Sequence, residues 1–405
     1  MLRIKTDPVT RLGVLAALGL ALSGCEGARL PSGAEDAALL GSPCREVPMR
    51  EARRFTLEDC GQVRRLTVSQ PWRGSKDVSR YLLVPRTRPD LLERARRLAR
   101  VPDVTVVAVP TRRIVSLSTV YAAFLQELGM ANAIVGMGNS ASVWTPSVAA
   151  RIRRKEVADL GKRGMQVSQR IESMLLLAPD LVLASGSGIP AYDRNDQFRE
   201  FGLPVVVVAE WMEDTPLGRA EWIRFLGAFV GRDSSALELY QGIARRYDSV
   251  RQARSAPGAR PKVVVGSNWS GSWNVPSGGS YAATFLRDAG ADYSWKSLPG
   301  AGSVPLGVER VVLQAHDAQV WVHPGQAKDL KGLAAMDPRN AVFCALGRGR
   351  VYNNDRRTNK AGGNDYWESG VVNPDRVLAD LASIFHPTST GDTSMTYYRR
   401  LGAKP

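Results

Sequence analysis

Ile171-Glu172-Ser173-Met174-Leu175-Leu176-Leu177-Ala178-Pro179-Asp180-Leu181-Val182 and Val308-Glu309-Arg310-Val311-Val312-Leu313-Gln314-Ala315-His316-Asp317-Ala318-Gln319-Val320 are two versions of one pattern, their glutamates 137 residues apart. In each, a Glu stands eight residues before an Asp, and the Asp opens a short apolar run. Apolar residues recur between them at i, i+3, i+4 and i+7: Ile171, Met174, Leu175, Ala178, then Val308, Val311, Val312, Ala315. That is the period of a helix with one buried face. The runs that follow, 181–184 and 320–323, read as buried parallel strands. A helix-to-strand unit occurring twice predicts two similar α/β lobes. Each Glu is expected at the exposed start of its helix, where the helix dipole favours negative charge.

Working outward, strand and helix alternate regularly from Thr111. Residues 113–117 form a strand, 120–128 a helix ending at Gly129, and 134–136 the next strand. The first copy of the pattern follows, and then a strand at 205–209. Such alternation predicts parallel pairing with right-handed crossovers. A long amphipathic helix, 234–254, lies between the copies, with Leu237, Tyr240, Ile243, Ala244, Tyr247 and Val250 on one face. The second lobe opens with a strand at 261–266, reaches a strand at 350–352, and closes with a helix over 374–385. The fold class is therefore α/β: two parallel-sheet lobes joined by a single long helix. A small N-terminal β appendage precedes them, with strands at 64–68 and 81–84 around the turn Pro71-Trp72-Arg73-Gly74. The expected segments are 1–25, a signal peptide; 26–110, a tether and the appendage; 111–215, the first lobe; 216–259, a helical linker; 260–386, the second lobe; and 387–405, a loose polar tail.

The N-terminus differs from the rest. Arg3, Lys5 and Arg11 precede the leucine- and alanine-rich stretch 12–22, which is about half the length of a membrane span. It reads as the core of an export signal. Its ending, Leu22-Ser23-Gly24-Cys25, resembles a bacterial lipobox, in which the Cys becomes the lipidated first residue. The chain carries a net charge of +15 over 405 residues. Arg residues occur in every segment, and export takes the protein away from nucleic acid, so the charge reads as a solvated surface and not a nucleic-acid footprint. Of the four Cys, Cys44 and Cys60 lie in an exported segment short of core and suit a disulfide, while Cys344 reads as a buried small residue. With three scattered His and no Cys-x-x-Cys, no built-in metal site or cofactor is expected.

Over about 111–386 the chain resembles the iron-siderophore and cobalamin type of periplasmic binding proteins, which deliver ligand to ABC importers. The resemblance rests on 113–117 with its helix, on both copies of the Glu…Asp pattern, on Gly362-Gly-Asn-Asp-Tyr-Trp367, and on Pro374-Asp375 through His386-Pro387. It implies two α/β lobes linked by a long helix, a lipid-anchored protein on the periplasmic side of a membrane, and an importer permease as partner. It also implies that Glu172 and Glu309 are docking residues, one per lobe, for Arg pockets on that permease. Residues 44–100 have no counterpart in the family pattern.

Ligands of open α/β sheets bind beyond the carboxyl ends of the strands. Those positions here offer Ser118, Trp144, the run Ser185-Gly-Ser-Gly188, Trp211, Trp269, Trp273, Tyr281 and the 353–357 segment with Arg356, while Trp367 is placed to close the cleft mouth or cap the last helix. So many Trp directly after strands suit a bulky, rigid ligand, since a buried indole must also satisfy its N–H. Arg356, Arg357 and Lys360 either face the cleft, favouring an anionic chelate, or are solvated surface. The expected ligand is a ferric siderophore or similar metal chelate, with cobalamin or haem as the alternative. From another class, a lipoprotein hydrolase would need a nucleophile, and no Gly-x-Ser-x-Gly elbow occurs.

Overall fold

The computed structural model describes residues 43–98, 104–161, 165–189, 193–255, 258–387 and 395–402. The export signal and Cys25 lie outside the described residues. Among those described, no helix is long and apolar enough to cross a membrane.

The N-terminal region is a five-stranded sheet: β1 (Arg45–Val47), β2 (Phe55–Cys60), β3 (Val63–Ser69) and β4 (Val78–Pro85) pair antiparallel, and β5 (Val104–Val109) adds parallel to β4. Its strands alternate buried and exposed residues, as a sheet with one covered face must. Cys44 and Cys60 form a disulfide that ties the β1 entry to the end of β2. This sheet packs closely on the helix Pro216–Val230. Phe55 packs edge-on against Trp222 at 4.9 Å and Phe225 at 5.4 Å, and Tyr81 meets Phe225 and Phe229. The Tyr81 hydroxyl accepts the Val207 N–H at 2.8 Å. The segment 50–54 lies across the helix Pro216–Val230. There the fully buried Glu221 carboxylate accepts the N–H groups of Arg50, Glu51 and Ala52 at 2.7–2.9 Å. Glu213 likewise takes those of Arg53 and Arg54 and the Trp222 indole N–H. Buried carboxylates hold the chain where apolar packing alone would not fix its path.

The first lobe is a parallel sheet in the order β10-β9-β6-β7-β8, built from β6 (Ile114–Ser116), β7 (Ile134–Met137), β8 (Ala158–Asp159), β9 (Leu181–Ala184) and β10 (Val205–Val207). The second is ordered β14-β11-β16-β17-β18, from β11 (Lys262–Val265), β14 (Asp292–Tyr293), β16 (Val320–Val322), β17 (Val351–Asn353) and the antiparallel β18 (Arg399–Arg400). A small antiparallel sheet of β12 (Asn268–Trp269), β13 (Ser272–Pro276) and β15 (Ser303–Gly307) flanks it. The stretch 395–402, expected to be loose tail, supplies β18 and buries Met395, Tyr397, Tyr398 and Leu401. The buried Asp380 fixes it by accepting the N–H groups of Thr396 and Tyr397 at 2.8 and 2.6 Å.

The lobes are joined by helix, in two pieces. Pro216–Val230 is buried almost along its whole length, packing on Thr119–Glu127 of the first lobe and on Tyr281–Asp288 and Ser369–Val372 of the second. Asp233–Ser255 then runs back along it, packs on Pro374–Phe385 and delivers the chain to β11. Gly231 makes the reversal at φ 65°, a left-handed value open to Gly at little cost.

The Glu…Asp pattern has a shared structural basis. Asp180 accepts the Arg112 and Arg113 N–H groups at 2.8 and 3.1 Å, so it pins the start of β6 beside β9. Asp317 pairs with Lys262 at 2.6 Å and pins the start of β11 beside β16. The glutamates are less alike than their spacing predicts. Glu309 is the second residue of its helix, Val308–Ala315. Glu172 sits mid-helix in Val167–Leu176, which starts earlier because Gln166 and Gln169 form a capping box. Its exposure therefore owes nothing to the helix dipole.

Candidate functional site

The carboxyl ends of both sheets point at the gap between lobes. From the first lobe come the loops after β6, β7, β9 and β10; from the second come those after β11, β16 and β17. On one flank the lobes touch. The nearly fully buried Glu368 carboxylate accepts the N–H groups of Trp144 and Thr145 at 2.9 and 2.6 Å, and the Thr145 hydroxyl. Asn359 donates to the Ala141 and Val143 carbonyls at 3.0 and 3.2 Å. Gly363 lies so close to the Ser142 carbonyl that a Cβ there would overlap it. Burial pushes the Glu368 carboxyl above its ordinary value, against the opposing hydrogen bonds from Thr145 and Trp144.

Deeper in the gap, Arg219 of the helix Pro216–Val230 is buried with its guanidinium carbon 4.7 Å from the Tyr281 ring centroid. Glu210, buried after β10, lies 3.7 Å from it. Neither Arg219 Nε nor Glu210 Oε2 has a hydrogen-bond partner among the described residues. Burial raises the Glu210 carboxyl, and the Arg219 charge opposes the rise. Tyr281, Tyr366 and Trp367 line the narrow crevice beside Arg219. Behind them His323, at the end of β16, holds the left-handed φ of 57°. Its Nε2 hydrogen-bonds the Tyr398 hydroxyl, and the two rings stack at 5.4 Å. Burial brings the imidazole down to about 4, so it is neutral near pH 7.

The candidate residues divide accordingly. Tyr281 and Trp367 come together around Arg219, with Trp367 half exposed. Trp144 lies beside the Glu368 contact with Arg357 over its ring at 5.4 Å, and its buried indole N–H has no partner among the described residues. Ser118 caps the helix Thr119–Glu127. Trp211 is partly exposed next to Glu210, and Trp269 stands largely exposed on β12. Trp273 is core: it is fully buried, donates its indole N–H to the Val265 carbonyl at 2.7 Å, and stacks on Trp321 at 5.6 Å. Arg356 is exposed, while Arg357 pairs with the fully buried Asp365 at 3.1 Å. In the Ser185–Gly188 loop, Asp193 takes the N–H groups of Ser187 and Gly188. Cys344 is exposed and free, because Phe343 and Ala345 on either side take the buried positions. Among the described residues no group of His, Cys, Asp and Glu is placed to hold a metal ion.

Arg219, Glu210, His323, Tyr366 and Glu368 escaped the sequence reading. The one available signal was Arg219, Glu221 and Arg224 inside the otherwise largely apolar run 216–230. Charged residues on a fully buried helix must have partners or a task. A cavity of about 1020 Å³ lies outside the gap: Arg86, Arg96, Arg199 and Asp180 line it between the N-terminal sheet and the first lobe. Tyr81 is the aromatic residue lining it, whereas Tyr281, Tyr366 and Trp367 converge beside Arg219 in the interlobe crevice.

A family model described as "Periplasmic binding protein" matches residues 114–357. The chain is 26% identical to an uncharacterized lipoprotein of Methanocaldococcus jannaschii, over 70% of this chain and 67% of that one. In fold it is similar to a periplasmic heme binding protein from Pseudomonas aeruginosa, with TM-score 0.53 and 19% identity, covering 73% of this chain and 99% of that one. It is also similar to a possible iron-binding periplasmic solute-binding protein from Staphylococcus epidermidis, with TM-score 0.52 and 15% identity, covering 68% and 99%. With two parallel-sheet lobes, a helical link and a match across both lobes, the chain belongs to the periplasmic binding protein family, the non-enzymatic solute-binding components of ABC importers.

Proposed function

We propose that the protein is a lipid-anchored carrier that delivers an anionic metal chelate, a ferric siderophore or a close analogue, to its importer. The observation that carries this reading is the buried Arg219, whose Nε–H has no partner among the described residues and whose walls are Tyr281, Tyr366 and Trp367. An unspent buried donor is costly, and an anionic group from a ligand would complete it. Aromatic faces suit the flat organic rings on the surface of such a chelate. Equilibrium titration of the mature protein with ferric chelates, haem and cobalamin, followed by absorbance, tests it. Tight binding of cobalamin with no response to any ferric chelate would replace this reading with the alternative; haem is the other member of that alternative, and aromatic walls suit it equally.

Glu172 and Glu309 serve as the docking residues for the permease. Each is exposed, and each has an exposed leucine four residues on, Leu176 or Leu313, on the same helix face. Glu309 pairs with Arg339, so docking exchanges one Arg partner for another. Cys25 carries the anchor: Cys25→Ala should leave the precursor unprocessed or the protein in the soluble fraction, and continued processing with membrane retention would reject the anchor.

A further inference from the structure

We propose that the turn between β3 and β4, carrying Trp72 and Arg73, is a third wall of the ligand cleft and selects for anionic, aromatic-rich chelates. This rests on the chelate-carrier reading above.

The turn reaches both lobes. Trp72 lies across the loop after β9: a Cβ on Gly186 would come within 2.7 Å of its Cε3, and one on Gly188 within 2.6 Å of its Nε1. Gly188 also has φ 74°, so the loop needs glycine both for its backbone and for the indole pressed on it. On the other side the Arg73 guanidinium rests on Gly302, at the start of the strand pair β13–β15 of the second lobe, where a Cβ would meet Nη2 at 2.5 Å. The turn thus spans the gap from the end of β9 to the flank of the second lobe. It occupies the side away from the Glu368–Thr145 contact, which is on the β7 loop at the other end of the sheet.

The turn is also held in place. The Ser75 N–H donates to the Trp72 carbonyl at 3.1 Å, and the Gln70 N–H to the Asp77 carbonyl at 3.0 Å. Ser75 Oγ donates to Asp77 at 2.8 Å. The segment leading into the sheet that carries it is anchored by Glu221, on the same helix that supplies Arg219, and by Glu213 just before that helix. Arg73 is exposed and makes no ion pair among the described residues. A half-buried indole beside a guanidinium presents an aromatic face and a positive charge together, the pairing that an anionic catecholate or a porphyrin carboxylate would meet. The turn lies outside the residues matched by the family model, so the common two-lobe scaffold does not account for it.

The test is equilibrium binding to the mature full-length protein of three probes: a trianionic ferric tris-catecholate, a neutral ferric tris-hydroxamate, and haem. Arg73→Ala should weaken the tris-catecholate about tenfold while moving the hydroxamate less than about twofold. Arg73→Lys should restore part of the loss. Trp72→Ala should weaken the tris-catecholate and haem alike, and a thermal melt of Arg73→Ala should match the wild type. Trp72→Phe guards against a folding defect, since it keeps an aromatic face on Gly186 and Gly188 and should bind more tightly than Trp72→Ala. Arg73→Ala and Trp72→Ala both within about twofold of wild type, on probes that the wild type binds, overturns the third wall alone. A wild type that binds none of the three probes overturns the carrier reading and this one with it.

Discussion

Glu368 of the second lobe holds Thr145 of the first, its Oε1 accepting both the Thr145 N–H at 2.6 Å and the Thr145 hydroxyl. The other carboxylate oxygen takes the Trp144 N–H at 2.9 Å. A buried carboxylate spanning the gap makes this flank a fixed edge. Glu368→Ala leaves three donors without their acceptor and should cost about 2–4 kcal/mol in a urea melt. Glu368→Gln, which keeps one oxygen, should cost less. Equal losses for the two would mean that the side chain matters there only for its bulk.

His323 gives the protein a specific response to acid. Its folded value of about 4 lies below the free value of 6.5, so the unfolded chain takes up the proton first. The stability this group contributes is present above pH 6.5 and lost as pH falls towards 4. His323→Asn, which tolerates the left-handed φ, should melt with a shallower pH dependence across that window. The gap between the two proteins should close by at most about 3 kcal/mol. Parallel pH profiles would count against the assignment.

Trp273 contributes to stability and not to affinity. Fully buried and stacked on Trp321, it should cost about 3–5 kcal/mol when cut to Ala. Binding measured well below the melting temperature should be unchanged once the folded fraction is accounted for. A clean loss of affinity without a stability change would return it to the cleft.

Glu221 is the anchor of the N-terminal sheet. Glu221→Ala leaves the N–H groups of Arg50, Glu51 and Ala52 unpaired and should cost about 3 kcal/mol or more. Limited proteolysis should then cut near residues 48–54 before anywhere in the lobes. Cleavage starting elsewhere would show that the aromatic contacts of Phe55 and Tyr81 hold the sheet by themselves.

For the docking pair, replacing Glu172 and Glu309 together with Ala should leave folding and ligand affinity nearly unchanged, because exposed charges contribute about 0–1 kcal/mol. Uptake through the assembled importer should fall sharply, and Glu→Arg at either site should be worse. Normal uptake by the double variant rejects the role. So does loss of ligand binding along with uptake.

What the sequence determined by itself is local and repetitive. The two lobes were legible because Ile171, Met174, Val308, Val311 and Ala315 recur at helix spacing and do face the core. Asp180 and Asp317 open the same kind of strand, and each pins that strand's neighbour. Periodicity is set by neighbours along the chain, so it can be read without the fold. The tertiary structure decided everything that depends on which distant segments meet. It anchored the segment 50–54 on a distant helix, and it made 395–402 a packed edge of the second sheet, because single carboxylates, Glu221 and Asp380, collect backbone N–H groups from other segments of the chain. It moved Trp273 from the cleft to the core, buried Arg219 beside Tyr281, and laid Trp72 on Gly186 and Gly188. A tryptophan after a strand can point either way, and only the packing around it chooses.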